Sequence, residues 1–276
     1  MPKSHRPLTP HYWALVFFIV AGTLTGFMSW ANSAALDSPK MILTSAHRGE
    51  HLHHPENSIP AIQGAIDAGM DFVELDIRTT ADGQLVLMHD RTVDRMTDGK
   101  GAVKEKTLAE IKKLDLGARF PGQFVDLRVP TFDEALATAH GKIGIYVDTK
   151  DASPQDLVAA IERHYMGKHV MFWSEHPDFL RQIQELRPDW TVMPEAFNPD
   201  NVHKIVELLH PTVLGFDQRD FNSETIAAAH EANVGIFVDR QTPQEWQDAI
   251  DRGATGIQTN YPVELMAFLR AKGLHK

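Results

Sequence analysis

The chain has 276 residues, 43% of them hydrophobic and 23% charged, and a formal net charge of −10. That composition is globular, with material for one large domain or two small ones, and its acidic balance argues against a general nucleic-acid binder. Cysteine is absent, which excludes disulfides, thiolate nucleophiles and cysteine-based zinc sites.

Lys3 and Arg6 precede an apolar run over residues 12–30, and small residues follow at Ala31, Ser33, Ala34 and Ala35. A basic start, an apolar middle and a small-residue exit predict an export signal cleaved within residues 31–35. An uncleaved anchor is the alternative, since the run approaches the ~20 residues that span a bilayer. Either reading makes the protein exported, periplasmic or otherwise extracytoplasmic, with membrane association through residues 12–30 in the second. Residues 1–35 are thus signal peptide or membrane anchor, and residues 41–276 the folded domain.

From Met41 onward, short apolar runs predict strands at residues 42–46, 72–77, 143–148, 170–173, 191–193, 213–216, 234–238 and 256–259. Helices are predicted over residues 58–68, 131–139, 154–165, 177–186, 199–209, 223–232, 243–251 and 263–271, with a short one at 107–114. Ser58 suits an N-cap, Gly69 a C-terminal stop, and Pro154, Pro177, Pro199, Pro243 and Pro262 suit first turns. Eight strands buried on both faces and alternating with helices predict a (β/α)8 TIM-type barrel of about 235 residues. A doubly wound open sheet is the runner-up, and no glycine-rich phosphate loop after the first strand supports it. The apolar run at residues 85–88 follows residue 77 too closely for a helical crossover. With the turn signal Asp82-Gly83, it predicts a hairpin over residues 72–88 that returns His89 to the height of Asp76. Residues 90–129 then form a small insertion after the second strand.

Barrel active sites lie at the C-terminal ends of the strands. There the sequence places His47 and Arg48, Glu74 and Asp76, Asp148 and Lys150, and later Asp217 and Asp239. Glu74 and Asp76 are two apart and share one face of a strand. Two inward carboxylates repel unless a cation lies between them. With Asp148 as third ligand they form an oxygen set suited to Mg²⁺ or Ca²⁺; salt bridges to Arg48 or Lys150 are the bland alternative. His47 and His89 together suit acid-base work near neutral pH, and Arg48 and Lys150 suit a phosphate. Glu56 and Asn57 lead into the first helix and serve either the site or simple turn chemistry. His51, His53 and His54 suggest zinc but are expected to decorate an exposed loop. Trp173 is expected to pack, while Phe197 and Phe216 could line a pocket or fill the top of the barrel.

These residues sit in the segments AHRG and PENS, VELDIRTTADGQLVLMHD, RTVDRMTDGKGAVKEKTLAEIKKLD, VPTFDEAL and GIQTNYP. In their order and spacing the chain resembles the glycerophosphodiester phosphodiesterase family from about Ala46 to Pro262. The resemblance implies a TIM-type barrel with an insertion after the second strand. It also implies metal-dependent hydrolysis, with Ca²⁺ or Mg²⁺, of glycerophosphodiesters to an alcohol and glycerol 3-phosphate; the expected substrate is a small glycerophosphodiester or a lysophospholipid. It makes His47 and His89 the acid-base pair, Glu74 and Asp76 metal ligands, Arg48 a phosphate contact and Glu56 a further polar residue of the site. Three positions depart from the family pattern: Asp148-Thr149-Lys150 stands for Glu-x-Lys, Thr259-Asn260-Tyr261-Pro262 for Thr-Asp-x-Pro, and Phe237-Val238-Asp239 replaces Trp-Thr. The altered third strand is the only support for one alternative, a catalytically weakened, membrane-anchored binding protein on the same barrel; a lysophospholipase D-like enzyme, which shares the barrel, is another, and the absence of cysteines argues against it.

Overall fold

A computed structural model describes residues 41–276 apart from Pro121. The expected signal or anchor over residues 1–35 lies outside the described residues, and no described helix is long and apolar enough to cross a membrane.

Eight strands are parallel: β1 (Leu43–Ala46), β2 (Phe72–Thr79), β4 (Gly144–Thr149), β5 (Val170–Ser174), β6 (Thr191–Pro194), β7 (Val213–Phe216), β8 (Gly235–Asp239) and β9 (Gly256–Thr259). They pair in the order β6-β5-β4-β2-β1-β9-β8-β7. The ends of that path meet through a parallel bridge between Glu195 and Gly215, where the Ala196 amide donates to the Gly215 carbonyl at 2.9 Å. The result is a nearly closed barrel with a narrow β6–β7 seam, as the alternation of elements predicts.

In-register neighbours in a parallel sheet share a face. Glu74 pairs with Tyr146, Asp76 with Asp148, and Asp148 with Trp173, so all of these point inward. The lower interior is filled by Tyr146, Met171, Met193 and Phe237, backed by Phe72, Trp173 and Val213. The opposite faces of the strands carry Leu75, Ile145, Phe172 and Ile257 into the larger core beneath the helices. Polar chemistry is thus left to the C-terminal mouth.

The helices begin where their caps dictate. Ser58 accepts the Ala61 amide at 3.1 Å ahead of α1 (Ile59–Ala68), and Gly69 closes that helix at φ +82. Capping boxes at Thr131 and Thr242 start α3 (Phe132–Ala139) and α8 (Pro243–Asp251). Prolines open α4 (Pro154–Arg163), α5 (Pro177–Leu186), α6 (Pro199–Leu209) and α9 (Pro262–Ala271), while α7 spans Ser223–Glu231. Two helices are shorter than predicted by more than one residue. α4 ends at Arg163 because Tyr165 turns left-handed at φ +55. α2 is only Leu108–Ile111, started by the Thr107 capping box and followed by turns toward the Asp115–Arg128 bridge.

β3 (Leu85–Leu87) folds back antiparallel on β2, with Ile77 opposite Leu87 and Thr79 opposite Leu85. Gly83 makes the turn at φ +75, and the Met88 amide reaches the Asp76 carbonyl at 3.0 Å. His89 therefore returns to the level of Asp76, as the hairpin reading expects. The segment between β3 and α3 encloses its own apolar cluster, including Val86, Met88, Val93, Met96, Ile111 and Val129.

Candidate active site

Asp76 is the most constrained group of the mouth. Its side chain is 1% exposed. Lys150 Nζ lies 2.9 Å from Oδ1, Asn57 Nδ2 donates to Oδ2 at 2.7 Å, and Arg48 Nε lies 3.4 Å from Oδ2. Burial alone would raise its pKa, but Lys150, Arg48 and the Asn57 amide outweigh it and hold the carboxyl below its ordinary value. Asn57 can do this because its backbone turns left-handed at φ +55 immediately before the α1 cap, which aims the amide at β2. Its Oδ1 also accepts the Asp76 amide at 3.0 Å.

Glu74 is the opposite case. Its Oε2 accepts the Arg48 amide at 2.7 Å, but its buried Oε1 has no partner among the described residues. Burial, then Asp76 and Asp148, raise its pKa well above the ordinary value. Asp148 is pushed up to about 6 by burial, although Lys150 Nζ stands 2.8 Å from its Oδ2. One carboxylate oxygen from each of Glu74, Asp76 and Asp148 comes within 4.8 Å of the others. Salt bridges therefore account for Asp76 and partly for Asp148, as the bland alternative holds, yet they leave Glu74 unneutralised. An unsatisfied buried oxygen within an all-oxygen triad fits a divalent cation.

His47 directly follows β1 and lines a cavity of about 140 Å³ together with Glu74, Asp148 and Trp173. Burial, then the Arg48 guanidinium, lowers its pKa to about 4. Its Nδ1 lies 2.7 Å from Asn260 Oδ1, and the Asn260 amide is in turn fixed on Gln241 Oε1 at 2.7 Å. With an accepting carbonyl at Nδ1, the proton sits there and Nε2 keeps its lone pair. His89 follows β3 and lies outside the cavity lining, with Nδ1 2.8 Å from Asp90 Oδ1. Arg48, at φ +56, places Nη1 3.3 Å from Glu56 Oε1.

All eight residues singled out for chemistry thus gather at one mouth. Among the aromatic side chains, the expected packing of Trp173 holds. Trp173 packs on the inner core but also lines the cavity, and its indole donates to Glu195 Oε2 at 2.7 Å. Phe216 lines the cavity, whereas Phe197 is 37% exposed and does not. The histidines after Arg48 are more than loop decoration: His53 and His54 hold the two oxygens of buried Glu50 at 2.9 and 2.7 Å, and His51 Nδ1 lies 3.0 Å from the His47 carbonyl. They are not among the groups of described residues placed to hold a metal. Sequence reasoning missed Glu195, which forms a second acidic group with Asp217 and Asp220. Its signal was weak, a lone acid one residue past a short strand.

An eight-stranded barrel with carboxylates, imidazoles and cations gathered at the C-terminal ends of its strands is the arrangement of a barrel enzyme. Residues 47–264 match the model of the "Glycerophosphoryl diester phosphodiesterase family". A glycerophosphodiester phosphodiesterase of Bacillus subtilis is 32% identical over 90% of this chain and 94% of its own length. Another, from Caldanaerobacter subterraneus subsp. tengcongensis, is 31% identical over 84% of this chain and 99% of its own. The crystal structure of a glycerophosphodiester phosphodiesterase from Agrobacterium tumefaciens superposes with a TM-score of 0.74 at 26% identity, covering 82% of this chain and all of that one. The chain belongs to the glycerophosphoryl diester phosphodiesterase family.

Proposed function

We propose how this chain hydrolyses glycerophosphodiesters to an alcohol and glycerol 3-phosphate. The observation that carries the assignment is the convergence of Glu74, Asp76 and Asp148, with Glu74 Oε1 unpartnered, beside the cavity that His47 lines. These three carboxylates would hold a divalent cation, Mg²⁺ or Ca²⁺ by their all-oxygen character. When bound, such an ion supplies charge neutralisation at the phosphate oxygens.

The remaining work falls to the chain's own groups. His47, neutral because burial and Arg48 depress its pKa, takes the proton of the attacking hydroxyl on Nε2. As the bond from phosphorus to the alcohol oxygen breaks, His89 gives that oxygen a proton, and Asp90 at Nδ1 orients the imidazole. Arg48 and Lys150 face the phosphate charge, and Glu56 fixes the Arg48 fork. The nucleophile is water, or a neighbouring hydroxyl of the substrate, in which case a cyclic phosphate forms and water then opens it to glycerol 3-phosphate. Export through a signal peptide or membrane anchor over residues 1–35 is proposed on the basic, apolar and small-residue order of the N-terminus alone; cell fractionation tests export, and amino-terminal sequencing of the mature protein tells cleavage within residues 31–35 from an anchor.

The direct test is release of glycerol 3-phosphate from glycerophosphocholine, glycerophosphoethanolamine and glycerophosphoinositol, and of lysophosphatidic acid from lysophosphatidylcholine. Chelation should abolish it and Ca²⁺ or Mg²⁺ should restore it. His47→Ala and His89→Ala should each lower kcat by at least about 100-fold with folding intact. Full activity in chelator would remove the metal assignment, and near-wild-type rates in either variant would remove that residue's role.

A further inference from the structure

Five residues after Asp90, the side chain of Arg95 closes a chain of charges across the mouth of the barrel. Its Nε donates to Asp90 Oδ2 at 2.7 Å and its Nη2 to Asp90 Oδ1 at 3.0 Å. The same guanidinium donates from Nη2 to Glu56 Oε1 at 2.6 Å and from Nη1 to Glu56 Oε2 at 3.0 Å. Asp90 holds His89, Glu56 holds Arg48, and Arg48 reaches Asp76. Charges alternate along the line from Asp76 through Arg48, Glu56 and Arg95 to Asp90, which holds His89. One planar fork grips two carboxylates, a task a lysine ammonium cannot perform in the same geometry.

The position of Arg95 is set from behind. Val93 and Met96, on either side of it, are buried in the separate apolar cluster of the insertion. The local turn is pinned by the Thr97 amide at 3.0 Å and the Thr97 hydroxyl at 2.9 Å, both on the Val93 carbonyl. The insertion therefore delivers one cation to the mouth from a rigid base. Without it, the Asp90 carboxylate loses both donors other than His89 and can rotate, and the imidazole loses its fixed aim.

The geometry points to Arg95 as a positioning residue for the hydrolysis: it locks Asp90 so that Asp90 holds the His89 ring, and through Glu56 it ties that half of the site to Arg48. This inference rests on the reading of His89 as an acid-base group, and the experiment separates the two.

Steady-state kcat and KM for glycerophosphocholine are measured in Arg95→Ala, Asp90→Asn, the double variant and His89→Ala, with thermal unfolding of each. Arg95→Ala should lower kcat by about 10–100-fold, the range for groups that orient an active-site side chain. The double variant should be no worse than Asp90→Asn alone, because both substitutions cut the same link. Millimolar guanidinium should restore part of the kcat lost in Arg95→Ala and none of that lost in Asp90→Asn. A merely structural role would give a lower melting temperature without rescue, and additive losses. Wild-type kcat in Arg95→Ala with His89→Ala inactive overturns the inference, as does a double loss equal to the product of the single ones. Wild-type kcat in His89→Ala would instead overturn the acid-base reading itself. If Arg95→Ala does not fold, Arg95→Lys carries the test, since it keeps the charge and loses the fork; undiminished kcat there is the overturning result.

Discussion

Asn260 decides the charge of His47. A carbonyl oxygen at Nδ1 orients the ring without adding a negative charge, so burial and Arg48 prevail and the pKa falls to about 4. A carboxylate in its place would favour the imidazolium. Asn260→Asp should therefore move the acid limb of kcat/KM upward by about one pH unit or more, because the base must be neutral to accept a proton; an acid limb that stays put in a folded variant would separate His47 from that limb. The sequence announced His47, Arg48, Glu74, Asp76, His89, Asp148 and Lys150 because each is a chemically active side chain at a strand end. It did not announce what holds them. Asn57 and Asn260 act through left-handed backbone or distant sequence contacts, and Trp173 reaches Glu195 across β5 and β6. No local spacing encodes such partners.

The first βα connection has to bring His47 and Arg48 over the mouth and then place α1 against the barrel within a dozen residues. Gly49 makes this possible at φ +83, where a Cβ would sit 2.7 Å from backbone atoms of Ala61. Gly83, at the hairpin tip, has φ +75 but open space around it. Both positions disfavour an L side chain by about 1 kcal/mol, and only Gly49 adds an overpacking cost of about 1–3 kcal/mol. Gly49→Ala should thus lose about 2–4 kcal/mol in denaturant unfolding and impair turnover. Gly83→Ala should lose about 1 kcal/mol and keep its rate. Equal losses at the two sites would mean that the α1 approach is not tight. Elements of this kind were legible: Asp82-Gly83 marked the hairpin, prolines and Ser58 marked helix starts, and the short link after Ile77 ruled out a crossover. The ends of α2 and α4 were not, because they depend on the Asp115–Arg128 bridge and on the left-handed Tyr165.

The barrel as a whole follows from eight apolar runs alternating with capped helices, but how it closes does not. β6 ends at Pro194, which has no N–H to offer, and its contact with β7 shrinks to the bridge at Glu195 and Gly215. A Cβ at Gly215 would come within 2.9 Å of Glu195 Oε2 and of the Trp173 ring, so glycine there lets an acid and an indole fill the seam. The arrangement leaves Glu195 6% exposed, and burial pushes its pKa up to about 7 despite the Trp173 indole and the Asp217 amide. In the unfolded chain the group ionises near its ordinary 4.5. Between those values the folded state binds the extra proton, so the contribution of Glu195 to stability falls as pH rises from about 4.5 through about 7 and is not regained above it. Glu195→Gln has no such titration. Whatever constant offset the amide introduces, its stability relative to wild type, measured by denaturant unfolding in chelator, should improve by about 3 kcal/mol between pH 4 and pH 8. Parallel stability curves for the two proteins would mean that Glu195 stays ionised in the fold, and that the seam accommodates a charge rather than a proton.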